Sequence, residues 1–480
     1  MDNQPTPHKS IPGRGPQRRS PWPWLLAAGC ALLLLVALLR PSRSGDGISP
    51  SGEERGGASQ IGDQNNAEPA RKLPRNARSA PAATAEEVVA RKLSQFARSR
   101  REYMYALARR HNVEVLGDVE RFFDAVESGN WEAIEAAFKK INGGDGSAGH
   151  SKDRPPEVTK LWPAIIDAYG AAEQVNKWPA QKLLDYGNEI LGSLRPGMVY
   201  VGGTDNGRWI PELLNATGDG ERHVIVTQNG LADGSYLDYL RLLYDDRLKT
   251  LSNEDSERAF QEYLSDAQKR LEHDRQFPDE PKQVRPGEDI QMVDNRVQVS
   301  GTVAVMAINE RLLEMLRQKN PELSFALQES FPLRGTYEDA LPLGPLMELG
   351  ARDEQNTFTV SHATQYLDYW RDAAQRVLFD AEGAGSETAL KSYSHDTVSA
   401  ANLLAAHNFN TEAEQAYRLA AQLWPENPES AGGLAGLLAA SGRQNEAQRI
   451  LDDFNRQYPG RQKDLERVRS TFTLIGAARR

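Results

Sequence analysis

Between Trp22 and Leu39 the chain runs for eighteen residues without a charged side chain, and most of them are leucine or alanine. Wound as a helix, such a run spans about 27 Å, close to the ~30 Å hydrocarbon core of a bilayer. Trp22 and Trp24 stand where an interfacial aromatic belt forms, and Arg40 closes the far end. A cleaved signal peptide would have a shorter apolar core followed by an Ala-x-Ala site, whereas Arg40-Pro41-Ser42-Arg43 follows here. Cys30 follows Ala27-Ala28-Gly29, but most of the apolar run lies after it, which argues against a lipoprotein site. The sequence therefore predicts one uncleaved transmembrane helix over 21–40. Lys9, Arg14, Arg18 and Arg19 precede it against Asp2 alone, a charge bias that puts 1–20 in the cytoplasm. The bulk of the chain is then extracytoplasmic, as at a bacterial inner membrane facing the periplasm.

Charge removes further classes. The net charge is −10, and the basic residues gather near the start, so the body is acidic and unsuited to nucleic acid phosphates. A single cysteine excludes an intramolecular disulfide and a CxxC pair. The eight histidines show no HxH or HExxH spacing, so neither a metal nor any other cofactor is indicated.

Residues 41–84 are rich in Ser, Gly, Pro, Ala and Arg with almost no large apolar side chains, and read as a disordered linker. Apolar residues at helical spacing mark 85–195 as a helical region, with a helix pair broken at Gly129-Asn130. From 196 the pattern changes to an α/β domain ending near 350. Met198–Val201, His223–Thr227 and Leu323–Leu327 read as buried strands with helices between them, the signature of a parallel layer, and Leu346–Leu349 reads as one more strand. Ile290–Val293 and Val297–Val299 flank Asp294-Asn295 as a hairpin. Residues 351–480 form a further helical domain.

Within that last domain a 34-residue period relates 394–427 to 428–461. Ala413 recurs as Ala447, Tyr417 as Leu451, Ala420 as Phe454 and Pro425 as Pro459, while Gly442 supplies a tight turn. This resembles the tetratricopeptide repeat, although the first unit lacks the family's glycine and tryptophan. Two units are fewer than the three usually needed for stability, so they should dock on Thr364–Phe379. Stacked helix pairs make a groove that suits a protein partner; the alternative is that the hairpins serve only as structure.

The stretch Leu194-Arg-Pro-Gly-Met-Val-Tyr-Val-Gly-Gly-Thr-Asp-Asn-Gly207, with His223–Asn229, Asn320–Pro332 and Leu341–Met347, carries a second resemblance. It is similar to the soluble part of multi-spanning GT-C membrane proteins of the protein O-mannosyl-transferase-like kind, over roughly 190–350. In that family the transfer is expected to need a many-helix membrane domain, and this chain has one span. The resemblance thus implies an extracytoplasmic soluble part without implying transferase activity.

The loop after the first strand is the best local candidate for a ligand site. Gly202 and Gly203 allow close backbone approach, and the helix that follows favours an anion at its N-terminus. Asp205, Asn206 and Arg208 follow in the loop, and Asn229 and Asp233, after the neighbouring strand, would face the same crevice. The alternative is that Asp205 and Asn206 cap a helix and the glycines only turn the chain. Glu329, after the third strand, reads as solvated or salt-bridged rather than as a general base, and no GxSxG elbow or other catalytic motif is present. The sequence as a whole reads as a membrane-anchored accessory or protein-interaction component of a cell-envelope system, glycosylation being the one the resemblance implies. The alternative is an α/β domain binding or acting on an anionic, sugar or nucleotide-sugar ligand.

Overall fold

The computed structural model describes residues 83–143, 154–203, 205–285, 287–293, 296–352 and 357–472. The expected span over 21–40 and nearly all of the linker lie outside these residues. Among them no helix is long and apolar enough to cross a membrane.

The helical region opens with α1 (Ala85–His111), started by a capping box in which Thr84 and Glu87 satisfy each other's backbone N–H groups. Asn112, at φ 50°, ends it in the left-handed conformation. α2 (Gly117–Ser128) and α3 (Trp131–Ile141) follow, with Gly129 left-handed between them and Asn130 accepting from Ala133 N at 3.1 Å. α4 (Pro156–Lys177) and α5 (Ala180–Ser193) complete the layer. Phe138 stacks on Tyr169 at 3.6 Å, joining α3 to α4.

The next stretch alternates. β1 (Val199–Gly202), α6 (Asn206–Ala216), β2 (Val224–Thr227), α7 (Gly234–Tyr244) and α8 (Asn253–Gln276) lead to the hairpin β3 (Asp289–Val293) and β4 (Arg296–Ser300). Then come α9 (Thr302–Lys319), β5 (Phe325–Leu327), β6 (Leu341–Leu343) and β7 (Leu346–Leu349). The main sheet has the order β2-β1-β5-β7-β6. β1 pairs in parallel with β2 and β5, whereas β7 is antiparallel to both β5 and β6. The sheet is therefore mixed rather than wholly parallel, and helices occupy 69% of the described residues, so this is a mostly helical protein around a small sheet. Pro342 hid β6 from the sequence reading; it is tolerated because β6 is an edge strand.

α10 (Val360–Phe379), α11 (Ala381–Gly385), α12 (Glu387–Ala406), α13 (Asn410–Leu423), α14 (Pro428–Ala440), α15 (Gln444–Gln457) and α16 (Gln462–Phe472) finish the chain. α12/α13 and α14/α15 are antiparallel hairpins, with α10 against the first and α16 against the second. Ala413, Tyr417 and Ala420 are buried, as are Ala447, Leu451 and Phe454 at the 34-residue offset. Gly442 turns the second hairpin at φ 79°, and in the first, which lacks a glycine there, Asn408 adopts the same left-handed conformation at φ 65°. A Cβ on Gly433 would fall 2.4 Å from the Tyr417 ring, so only glycine lets α13 and α14 approach this closely.

One apolar core runs without interruption from Val89 to Leu465. At its centre lies an ionic cluster spanning four helices. Asp167 on α4, fully buried, accepts from Tyr239 Oη at 2.7 Å and from Arg208 on α6, with Arg100 of α1 at 3.5 Å. Arg208 Nε also donates to Glu212 at 3.3 Å. Removing one partner from such a cluster strands a desolvated charge. Arg208→Ala should therefore lower unfolding stability by ~3–5 kcal/mol in urea titration. A loss below about 0.5 kcal/mol, normal for a surface side chain, would contradict the buried pairing.

Candidate functional site

β1 is where the chain's direction divides. After β1 it turns toward β2 on one side, and after β5 it turns toward β7 and β6 on the other. A crevice forms at such a point, beyond the carboxyl ends of the strands. The two loops meet closely there. A Cβ on Gly203 would lie 2.2 Å from Ser330, and one on Gly207 would lie 2.2 Å from Gln328 Oε1, so these glycines exist for loop-on-loop packing. Asp205 begins α6, accepting from Gly207 N at 3.0 Å.

Over this edge lies a cleft of about 350 Å³. Its floor is Asp205, Asn206 and the 328–332 segment. One wall is α12, through Ser392, His395, Asp396 and Ser399, and the rim comes from Trp424, Glu429 and α16. Phe331, Met306, Val398 and Val468 make much of the lining apolar, with a few polar groups converging at the base. A larger, open hollow beside α8 and α9 is lined by charges such as Arg317, paired with Glu314 at 2.9 Å and Asp339 at 3.7 Å, and converges on nothing.

The base of the cleft is a chain of hydrogen bonds. Tyr200 Oη donates to Gln328 Oε1 at 2.5 Å, and Gln328 Nε2 donates to Tyr186 Oη at 2.6 Å and Asp396 Oδ1 at 2.8 Å. Tyr186 Oη donates to Asp396 Oδ2 at 2.9 Å, and Asn206 Nδ2 donates to Ser392 Oγ at 2.6 Å. His395 has Nε2 at 2.9 Å from the Glu329 carbonyl and Nδ1 at 2.8 Å from Glu429 Oε2. A carbonyl cannot donate and a carboxylate accepts, so both ring nitrogens carry protons and the ring is an imidazolium. Burial opposes that charge, but Glu429, Asp396 and Asp205 hold the ring well above the ordinary histidine range. Burial pushes Asp396 up to about 6 against the pull of His395, Gln328 and Tyr186. It also raises Asp205, against His395 and the Gly207 N–H.

The expected site residues separate into two groups. Asp205 and Asn206 line the cleft, with Gly202 and Gly203 beneath it. Arg208 does not enter it, because the third residue of α6 faces α4 and α7, where Asp167 and Glu212 engage it. Asn229 sits in the 3-10 turn Gln228–Gly230, and Asp233 caps α7 by accepting from Ser235 N at 2.8 Å. Neither lines the cleft. β1 and β2 do pair as expected, but the crevice opens over β1 and β5 instead. Tyr186, Gln328, Ser392, His395, Asp396 and Glu429 escaped the sequence reading because no local motif joins them. One signal was present: His395 and Glu429 are separated by the 34-residue repeat.

Glu329 corrects another expectation. It is neither solvated nor salt-bridged but 3% exposed, with Oε1 accepting from Leu333 N at 3.1 Å and Oε2 buried without a hydrogen-bond partner. Burial pushes its carboxyl up to about 7. It belongs to the cleft floor, so its buried carboxyl adjoins the cavity. Among the described residues no group of three or more His, Cys, Asp or Glu side chains is arranged to hold a metal ion.

The raised carboxyl has a consequence for stability. Between the unfolded value near 4.3 and about 7 the folded state binds the extra proton, so this contribution is complete below pH ~4 and is lost as pH rises through 7. Glu329→Gln keeps an oxygen for Leu333 and carries no charge. It should be more stable than the parent at pH 8, by on the order of 3 kcal/mol, with the gap closing toward pH 4. Parallel stability–pH curves for the two proteins would contradict the assignment.

No protein-family model, curated protein or solved structure matches this chain.

Proposed function

We propose that this chain is a membrane-anchored ligand-binding protein whose site is the cleft between the sheet edge and the C-terminal helices. The observation that carries the reading is the convergence of Asp205, Asn206, Asp396 and His395 on one apolar-walled cavity at the point where the loops after β1 and β5 diverge. The helical hairpins belong to this reading as tetratricopeptide-like units, supported by the matching left-handed residues Asn408 and Gly442. Helices α12 and α16, with the start of α14, line the cleft, so these helices serve first as its wall. A protein-docking role for the same helices, as an accessory subunit of an envelope system, comes second.

The anchor rests on the apolar run from Trp22 to Leu39, and the extracytoplasmic position on the basic residues before it. Alkaline carbonate washing of bacterial membranes carrying the full chain should leave it in the pellet, and protease added to spheroplasts should digest the body. Release by carbonate, or protection until lysis, would remove that part of the proposal.

The cleft is tested by a thermal-shift screen of small polar and amphipathic molecules on the full chain in detergent. Val468 is half-buried in the lining and packs over Gly432 of α14, so Val468→Trp should abolish the shifts while lowering the melting temperature of the free protein by only a few degrees. Shifts that survive the substitution would place binding elsewhere.

A further inference from the structure

The cleft is unbalanced in charge. Asp205, Glu329, Asp396 and Glu429 line it, and His395 is the cation at its base. The basic residues at the rim are already matched. Lys391 lies 2.5 Å from Glu387, Arg461 3.6 Å from Glu426 and 3.7 Å from Asp464, and Arg467 3.4 Å from Asp464. Arg208, the residue that would have favoured an anion, is held by Asp167 and Glu212 on the far side of α6.

The carboxylates differ in what they have left to offer. Both oxygens of Asp396 are taken by Tyr186 and Gln328, whereas Glu429 gives Oε2 to His395 and stands at the rim with its side chain 33% exposed, where water satisfies the other oxygen. Asp205 gives Oδ1 to Gly207 N, and its Oδ2 has no hydrogen-bond partner among the described residues. This half-buried group lines the cleft floor, so a carboxylate oxygen is open toward the cavity. A desolvated carboxylate without a partner is costly, and a charge-assisted donor is its strongest complement. Above it the lining is Phe331, Val398 and Val468, which suits carbon rather than a string of hydroxyls, while Lys391 and Arg461 already lie over the Trp424 ring at 4.9 and 5.3 Å from its centroid.

We propose that the ligand is an organic ammonium, with its cationic head on Asp205 and an apolar body along Phe331, Val398 and Val468. The proposal rests on the cleft being the binding site. The raised carboxyls of Asp205 and Asp396 agree with it, since an incoming cation supplies the positive charge that the site lacks.

Three probes with one aromatic body and different heads separate the possibilities: 2-phenylethylammonium, 2-phenylethanol and 3-phenylpropionate, titrated calorimetrically into the full chain in detergent at pH 7. The ammonium should bind at least about tenfold more tightly than the alcohol, a gap of about 1.4 kcal/mol, and the carboxylate more weakly than either. Asp205→Asn keeps an equally good helix cap and should bring the ammonium down to the alcohol's affinity, while Val468→Trp should abolish binding. Alcohol or carboxylate binding as tightly as the ammonium, and blocked by Val468→Trp, would overturn the cationic head while leaving the cleft as a site. Ammonium binding unchanged in Asp205→Asn would also overturn it, as would no binding by any probe. Binding that ignores Val468→Trp would remove the cleft and the inference together.

Discussion

The carboxylate of Asp396 is the point on which the layers of this protein meet. Its desolvation would cost several kcal/mol if water were not replaced. The replacements come from two other parts of the chain: Tyr186 on α5 and Gln328 just beyond β5, each within 3 Å. Because α12 carries Asp396, the C-terminal helices cannot leave the sheet without exposing a charge that has lost its donors. Tyr200, inside β1, extends the same chain of bonds into the strand that orders the sheet.

That constraint explains why the glycines after β1 matter. The loops after β1 and β5 must lie close for Gln328 to reach both Tyr200 and Asp396. Gly203 and Gly207 remove the two Cβ atoms that would strike Ser330 and Gln328. A ligand-cradling role and a packing role predict the same glycines in sequence; the near contacts assign them to packing. The cavity is what remains above the packed loops once α12 and α16 close over it.

The buried charges divide by neighbourhood. In the helical layer, Arg100 and Arg208 balance Asp167 and Glu212, and the cluster has no opening. At the sheet edge the carboxylates outnumber the one imidazolium, and a cavity adjoins them. The first arrangement holds helices together. The second leaves Asp205 an oxygen to offer, which is why binding is placed there and not at the first.

Local patterns were enough to determine most helices and the parallel strands, because apolar spacing, capping boxes and turn glycines act over a few residues. The box that Ser252 and Asp255 make at the start of α8 and the 34-residue spacing of Ala413 and Ala447 belong to that class. Asp205 and Asn206 were legible for the same reason, as short polar residues between a strand and a helix. In the antiparallel half β7 was legible as Leu346–Leu349 but β6 was not, since it carries a proline that only an edge position tolerates. Tertiary structure alone decided that Arg208 serves the core and that His395, Asp396 and Gln328 share a site. Their long-range partners lie from 34 to 210 residues away in the chain, and periodicity carries no information about which helix face meets which sheet edge. That choice is made by burial, when desolvated charges must find their counterparts in the one arrangement that supplies them all.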